Sequence, residues 1–204
     1  MAVESLRNPQ YFQWGLVPVF AFVMQLYFRE IGKKNWHLIL ACVATFALEF
    51  FAEIMNALIL HFTDHAALWM IGGRSSFLIF VGLNLEIMLM FGVAYIAFLK
   101  ILPKDSRAKI FGIPNRWFFV LVNSLICVAV EALLNDWGVL IWSYKYWSVP
   151  HLWSIVLFAY APSIVFLYWL YDMKSLKFKG TLALVLIILD AIGFGMFSTV
   201  LNWI

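Results

Sequence analysis

The sequence predicts an all-α polytopic integral membrane protein, a bundle of six transmembrane helices. Hydrophobic residues make up 65% of the 204 residues and charged residues only 12%, whereas a soluble domain is about half apolar and about a quarter charged. Apolar runs long enough to cross a bilayer recur along the chain, and positive charges gather in alternate loops. A chain this apolar cannot enclose its surface around one water-facing core, so lipid must solvate it.

Six apolar windows provide the roughly 20 residues that are needed to cross about 30 Å of hydrocarbon. The segments between them contain glycine, proline and charged residues, which end helices. At this length one transmembrane helical domain covering 1–204 is expected. The predicted spans are 11–28, 36–62, 76–99, 117–141, 152–171 and 181–204.

The distribution of positive charge predicts the orientation. Alternate loops contain 11 of the 14 Lys and Arg residues. The opposite side contains the other three, which are Arg7, Arg74 and Lys145. Because cytoplasmic loops are enriched in Lys and Arg, we expect both termini outside and a multi-pass location in the cell membrane.

Several classes of function have no sequence support. Cys42 and Cys127 show no zinc spacing, the net charge of +3 is too modest to indicate nucleic acid, and no cofactor motif is present. His61, Asp64 and His65 could bind a metal from one helical face, but a hydrated turn is commoner. We therefore expect no metal and no cofactor.

The most informative residues are acids inside the predicted spans. None of the 14 Lys and Arg residues lies inside a span, so these carboxyl groups have no intramembrane cationic partner, and burial then favours their neutral form. Each costs about 2.5–3.5 kcal/mol at a helix centre. Acid catalysis, proton relay and cation binding would each explain them. Asp136 lies close to a span end, and the five acids well inside the spans are Glu49, Glu53, Glu86, Glu131 and Asp190.

Helical spacing places these acids on defined faces. Residues at steps of four, four and three share one face of the second span, and these are Thr45, Glu49, Glu53 and Asn56. Steps of four along the fourth span connect Asn123, Cys127, Glu131 and Asn135. We expect a polar pocket among spans two, three, four and six, with Trp137 near its outer end. Alternatively, the acids hydrogen-bond to neighbouring groups and hold helices together.

Two predicted outer loops, 61–65 and 142–147, are rich in aromatic residues and histidine. Such residues are typical of an interfacial belt, where amphipathic rings sit at the level of the lipid headgroups. A lid over an outward-facing pocket is the alternative.

Three segments resemble the small transmembrane terpene cyclases of fungal meroterpenoid and indole-diterpene pathways. Phe46–Phe50 resembles the segment that carries a catalytic Glu, 83–88 resembles the next helix, and 189–193 is similar to a second acidic site. The resemblance implies acid-catalysed cyclisation, with Glu49 and Asp190 as the acids. That family has seven spans, and its Glu follows a Trp where this chain has Leu48. Residues 131–171 resemble small multi-pass proteins of endospore-forming bacteria.

These observations lead to one hypothesis and two alternatives. The hypothesis is a membrane enzyme that protonates or cyclises a hydrophobic, isoprenoid-type lipid in the bilayer, with Glu49 as general acid and Asp190 as second acid. The alternatives are a proton-coupled transporter, for which a homodimer is expected, and a non-catalytic subunit of a membrane complex. The substrate-binding residues would be Glu53, Asn56, Glu86, Glu131, Asn135 and Trp137.

Overall fold

The structure, a computed structural model, describes residues 5–72 and 77–204 and is mainly helical. The helices are α1 Leu16–Gly32, α2 Trp36–Thr63, α3 Leu85–Lys100, α4 Asn115–Asp136, α5 Leu152–Ile155, α6 Ala161–Asp172 and α7 Leu176–Phe194. Short 3-10 turns lie at Pro9–Tyr11 and Val149–His151. A π-helical turn, Val156–Tyr160, joins α5 to α6, and another, Gly195–Val200, extends α7.

Four helical segments in the described ranges are long and apolar enough to cross a membrane. They are Trp36–Thr63, Asn115–Asp136, Val149–Asp172 and Leu176–Val200. They correspond to the second, fourth, fifth and sixth predicted spans. Helices α1 and α3, with 17 and 16 residues, are shorter. The membrane class is therefore supported, while the full count of six crossings stays a prediction.

The third predicted span, 76–99, is wrong as a continuous helix. Its first residue, Ser76, lies outside the described residues. Strands β2 Leu78–Phe80 and β3 Leu83–Asn84 pair antiparallel, and α3 begins only at Leu85. The Asn84 side chain accepts a hydrogen bond of 2.8 Å from the Ile87 N–H. This N-cap satisfies a helix-terminal donor and sets the start of the helix.

The fourth predicted span also includes a short strand. Helix α4 ends at Asp136, and β6 Leu140–Trp142 pairs antiparallel with β1 Trp69–Ile71. Ile71 N–H donates to the Val81 carbonyl at 2.8 Å, which connects this pair to the β2–β3 turn. We call β1, β2, β3 and β6 the strand cap, and the end of the bundle that carries them the cap end. A further pair, β4 Lys109–Ile110 and β5 Ile113–Pro114, precedes α4.

The opposite end of the bundle, which we call the basic end, contains ion pairs. Glu30 accepts from Lys100 at 2.6 Å and from Lys33 at 3.4 Å. Arg116 at the start of α4 binds both carboxylate oxygens of Asp172 at the end of α6, each at 2.7 Å. These contacts fix the end of α1 against that of α3, and the start of α4 against the end of α6.

Helix α2 is central to the bundle because it packs against both α6 and α7. Ala41, Ala44 and Ala47 are buried along it, and small residues let neighbouring helices approach closely. Toward the cap end, Ile54 packs in a second apolar cluster that contains Phe80 of the strand cap. The bundle is thus tightly packed at its basic half and covered by strands at the other end.

Candidate functional site

A cavity of about 430 Å³ lies under the strand cap, between α2, α4 and the α5–α6 segment. That volume falls within the roughly 300–1,000 Å³ of small-molecule sites. Three of the predicted acids line it together, and these are Glu49, Glu53 and Glu131. Asn56 lines it too, with a largely apolar and aromatic wall that includes Phe91, Trp69, Trp147 and Tyr160.

Glu49 receives its hydrogen bond from α6. The Ser163 hydroxyl donates to Glu49 Oε1, and Tyr95 of α3 lies beside the same carboxyl group. Pro162, just before Ser163, has no N–H to donate to the preceding turn. The π-helical turn Val156–Tyr160 ends two residues before Pro162, as expected where a helical hydrogen-bond ladder is interrupted. The turn and the proline therefore shape the wall opposite Glu49.

Glu53 is held from the strand cap. The Trp69 indole N–H donates to Glu53 Oε1 at 2.9 Å, while Glu53 Oε2 has no hydrogen-bond partner among the described residues. Asn56, one turn further along α2, fixes the Trp69 backbone by donating to its carbonyl at 2.7 Å and accepting from the Leu68 N–H at 2.9 Å. Helix α2 thus positions both the acid and the strand residue that binds it.

Glu131 of α4 is held in the same way. The Trp142 indole N–H donates to Glu131 Oε1 at 2.8 Å, and Tyr160 lies beside the carboxyl group. Trp142 is the direct register partner of Trp69 across the β1–β6 pair. One strand pair therefore supplies an indole N–H to each of two acids.

The aromatic loop 142–147 contributes Trp147 to the cavity wall. Trp147 lines the cavity and stacks on Trp69, with ring centroids 5.7 Å apart. The lid interpretation of this loop stays a prediction. In the segment 61–65, the first three residues belong to α2 and not to a loop. His61 stacks on Trp203 and His65 contacts Tyr144 edge-on, so the two histidines face different neighbours.

The cavity opens sideways toward the surface that lipid would cover. Phe51 and Met55 of α2 line it and are 40% and 46% exposed, and Phe158 of the π-helical turn is 67% exposed. Exposed apolar side chains on bilayer-length helices are expected to contact lipid tails. An apolar molecule in the bilayer could enter between α2 and the α5–α6 segment.

The ionisable carboxyl groups that line the cavity are not accompanied by basic side chains among the described lining residues. No Lys or Arg is present among the lining residues in the described parts of the chain. The carboxyl groups accept hydrogen bonds from indole and hydroxyl donors, which are neutral. Such an environment favours protonated carboxyl groups, which can donate protons.

Four predicted site residues lie elsewhere. Glu86 is in the first turn of α3, Asn135 donates to the Leu140 carbonyl at 2.9 Å, and Trp137 is mostly exposed. Asp190 is buried on α7. Helices α2 and α7 do pack together, but Asp190 is not among the residues that line the cavity with Glu49. The structure therefore does not bring the predicted acid pair together in this cavity.

Sequence reasoning missed the residues that position the acids. Trp69 and Ser163 were not singled out, and Trp142 was noted only as part of an aromatic loop. Pro162 inside an apolar window was an available signal, because an interior proline marks an irregular helix. The indole contacts had no such signal, since they depend on pairing between strands about 70 residues apart in sequence.

Comparisons with known proteins place the chain in a family. A protein of Archaeoglobus fulgidus described as "Uncharacterized protein" is 38% identical over 203 residues, covering all of this chain and 96% of that protein. No solved structure matches the chain, and neither the family nor this relative connects it to terpene cyclases. The model of an uncharacterized membrane protein family matches residues 1–199, and the chain belongs to that family.

Proposed function

We propose that this protein is a membrane-embedded enzyme in which Glu49 protonates an isoprenoid-type lipid. One observation carries the proposal: three carboxyl groups share a largely apolar cavity, and within residues 5–72 and 77–204 the hydrogen bonds they accept come from neutral donors. An apolar double bond needs a strong proton donor, and a neutral carboxylic acid held in a dry site can serve as one.

The proposed reaction begins when the lipid enters past Phe51 and Phe158. The Glu49 carboxyl proton forms a new C–H bond at the substrate double bond and leaves a carbocation. The faces of Trp69 and Tyr160 stabilise the positive charge by cation–π attraction. The Glu49 carboxylate formed in this step then removes a proton from a neighbouring carbon, which restores the protonated acid and leaves the substrate isomerised or cyclised with no net change in atoms.

A proton-coupled carrier is the second proposal. It is favoured by buried polar side chains that continue from the cavity toward the basic end of α4, including Asn123 and Ser124. A carrier would use protonation of the same acids to couple substrate binding to proton movement. It would return the substrate chemically unchanged.

Deuterium transfer tests the enzymatic proposal. The protein in lipid nanodiscs would be incubated in D2O with farnesol, geranylgeraniol or squalene, and with oleyl alcohol as a non-isoprenoid alkene. Mass spectrometry should show deuterium on carbon in an isoprenoid only. Glu49→Gln should lower that rate by about 10²–10⁴-fold, while Glu30→Gln, the same substitution in the basic end, should retain it. Equal deuterium in the wild type and Glu49→Gln would refute Glu49 as the proton donor.

We also propose six crossings of the cell membrane with both termini outside. Support comes from the positive residues of the loops, 11 of which fall on one predicted side. Single cysteines at Ser106 and Ser175 should resist an impermeant thiol reagent applied to intact cells, and one at Ser148 should react. Labelling of the Ser106 position from outside would contradict this orientation.

A further inference from the structure

We propose that polar side chains between α4 and α6 form a proton pathway that connects the basic end of the bundle to the cavity acids. The inference deepens the proposed function, because the cavity acids must equilibrate with protons from water if they are to begin the reaction in their protonated form. It rests on that function only in requiring that the cavity acids exchange protons, and it does not depend on the substrate.

The pathway follows one side of α4. Arg116, Asn123, Cys127 and Glu131 are separated by seven, four and four residues, a spacing that keeps them on one helical side. At about 1.5 Å per residue, they extend over roughly 22 Å from the basic end to the cavity. Helix α6 packs against α4 and supplies partners along the same line.

The contacts at the basic end are direct. Arg116 binds both oxygens of Asp172 at 2.7 Å, and Asp172 is partly exposed, so this pair forms an entry from water. Tyr168 lies one helical turn before Asp172. Its hydroxyl accepts a hydrogen bond from Asn123 Nδ2 at 2.5 Å, although both residues are almost completely buried.

The middle of the pathway contains polar atoms that lack a protein partner. Asn123 Oδ1 and Ser124 Oγ are buried without a hydrogen bond to any described residue. Buried polar atoms of this kind normally bind an internal water molecule. One helical turn further along, Cys127 lies within electrostatic range of both Glu49 and Glu131. The steps from Asn123 to Cys127 and from Cys127 to Glu131 each rise about 6 Å, a distance that a single water can bridge.

The hydroxyl of Tyr168 is the element that can relay a proton. A tyrosine hydroxyl both donates and accepts a hydrogen bond, so it can receive a proton from water on the Asp172 side and release its own toward Ser124. If the same groups only hold α4 against α6, removing the hydroxyl changes stability and leaves proton exchange at the cavity unchanged.

Tyr168→Phe tests the pathway, with Tyr27→Phe as its matched control. Tyr27 donates to the Gly92 carbonyl at 3.1 Å between α1 and α3, away from the pathway. After transfer of the membrane-reconstituted protein to D2O, infrared spectroscopy would follow deuteration of the cavity carboxylic acids, assigned by loss of the band in Glu49→Gln. Tyr168→Phe should slow this deuteration roughly tenfold or more, and Tyr27→Phe should not.

Equal rates in the wild type and in folded Tyr168→Phe would overturn the pathway, because the protons would then reach the acids through the cavity mouth. If Tyr168→Phe does not accumulate, Ser124→Ala takes its place, since its hydroxyl has no hydrogen bond to a described residue that could be lost. Ser124→Ala should slow deuteration as well, and an unchanged rate would overturn the proposal. Because no substrate is added, failure of the pathway is separable from failure of the deuterium-transfer experiment.

Discussion

Buried acids at the two ends of this bundle have opposite surroundings. Glu30 is 2% exposed and contacts Lys100, Lys33 and the Asn35 amide. Glu53 and Glu131, at 6% and 7% exposure, contact tryptophan indoles. A carboxylate beside ammonium groups is stabilised in its charged form, whereas one beside neutral donors in an apolar wall is stabilised in its neutral form.

This difference indicates a structural role for Glu30 and surroundings suited to proton transfer for the cavity acids. Glu30 connects α1 to α3 and to the turn before α2, and a permanent charge suits that role. The cavity acids have no Lys or Arg beside them among the described lining residues, and they face an opening toward lipid. A proton can therefore move on and off the cavity acids without breaking an ion pair.

Labelling with a hydrophobic carbodiimide should show the largest difference between the two ends. Such reagents modify protonated carboxyl groups, so the α2 peptide that contains Glu49 and Glu53 should be labelled and Glu30 should not. Peptide mass spectrometry after labelling in membranes would measure this. Glu49→Gln and Glu53→Gln would assign the labelled site, and labelling of Glu30 at the same rate would contradict the distinction.

How far the sequence predicted this arrangement can be judged from particular residues. The four-residue period placed Glu49, Glu53 and Asn56 on one face of α2, and all three line the cavity. The spacing of residues within one helix does not specify which other helix it packs against. Asp190 was therefore predicted to line a pocket that it does not line. Strands β2 and β3 and the start of β6 were predicted to be helical because apolar runs near a span end carry no clear period. Glu30 was overlooked because it lies beyond the predicted span 11–28.

Low pH should destabilise the basic end of the bundle more than the cap end. Lys100 and Asn35, by their hydrogen bonds, lower the pKa of Glu30 from 4.5 to about 2. A lowered folded-state pKa means that the carboxylate stabilises the protein fully above pH 4.5, and that this contribution is lost as the pH falls toward 2. Glu30→Gln should lower the free energy of unfolding by about 2–3 kcal/mol at neutral pH. Below pH 4.5 the variant should lose less of this free energy than the wild type does.

Thermal unfolding in detergent, followed across that pH range, would measure the effect. Glu49→Gln is the control, since the amide keeps the shape of a neutral acid and an acceptor for Ser163. Its unfolding temperature should change little. If Glu49→Gln were the more destabilising of the two substitutions at neutral pH, the cavity acid would be the structural one and the comparison would be reversed.

The smallest effect is expected where the strand cap meets the cavity. Gly82 lines the cavity, and a Cβ there would lie 2.5 Å from Trp69 Nε1 and 2.7 Å from Asn56 Nδ2. Gly82→Ala should therefore push the Trp69 indole from Glu53 at a cost of about 1–2 kcal/mol, with a shift in tryptophan fluorescence. Gly180→Ala is the matched control, because no described atom lies within 4 Å of its Cβ, and it should stabilise α7 by about 0.5–1 kcal/mol. If Gly82→Ala changed fluorescence and stability no more than Gly180→Ala did, the indole would not be held by close packing. The Glu53 contact would then depend on the Asn56 hydrogen bonds alone.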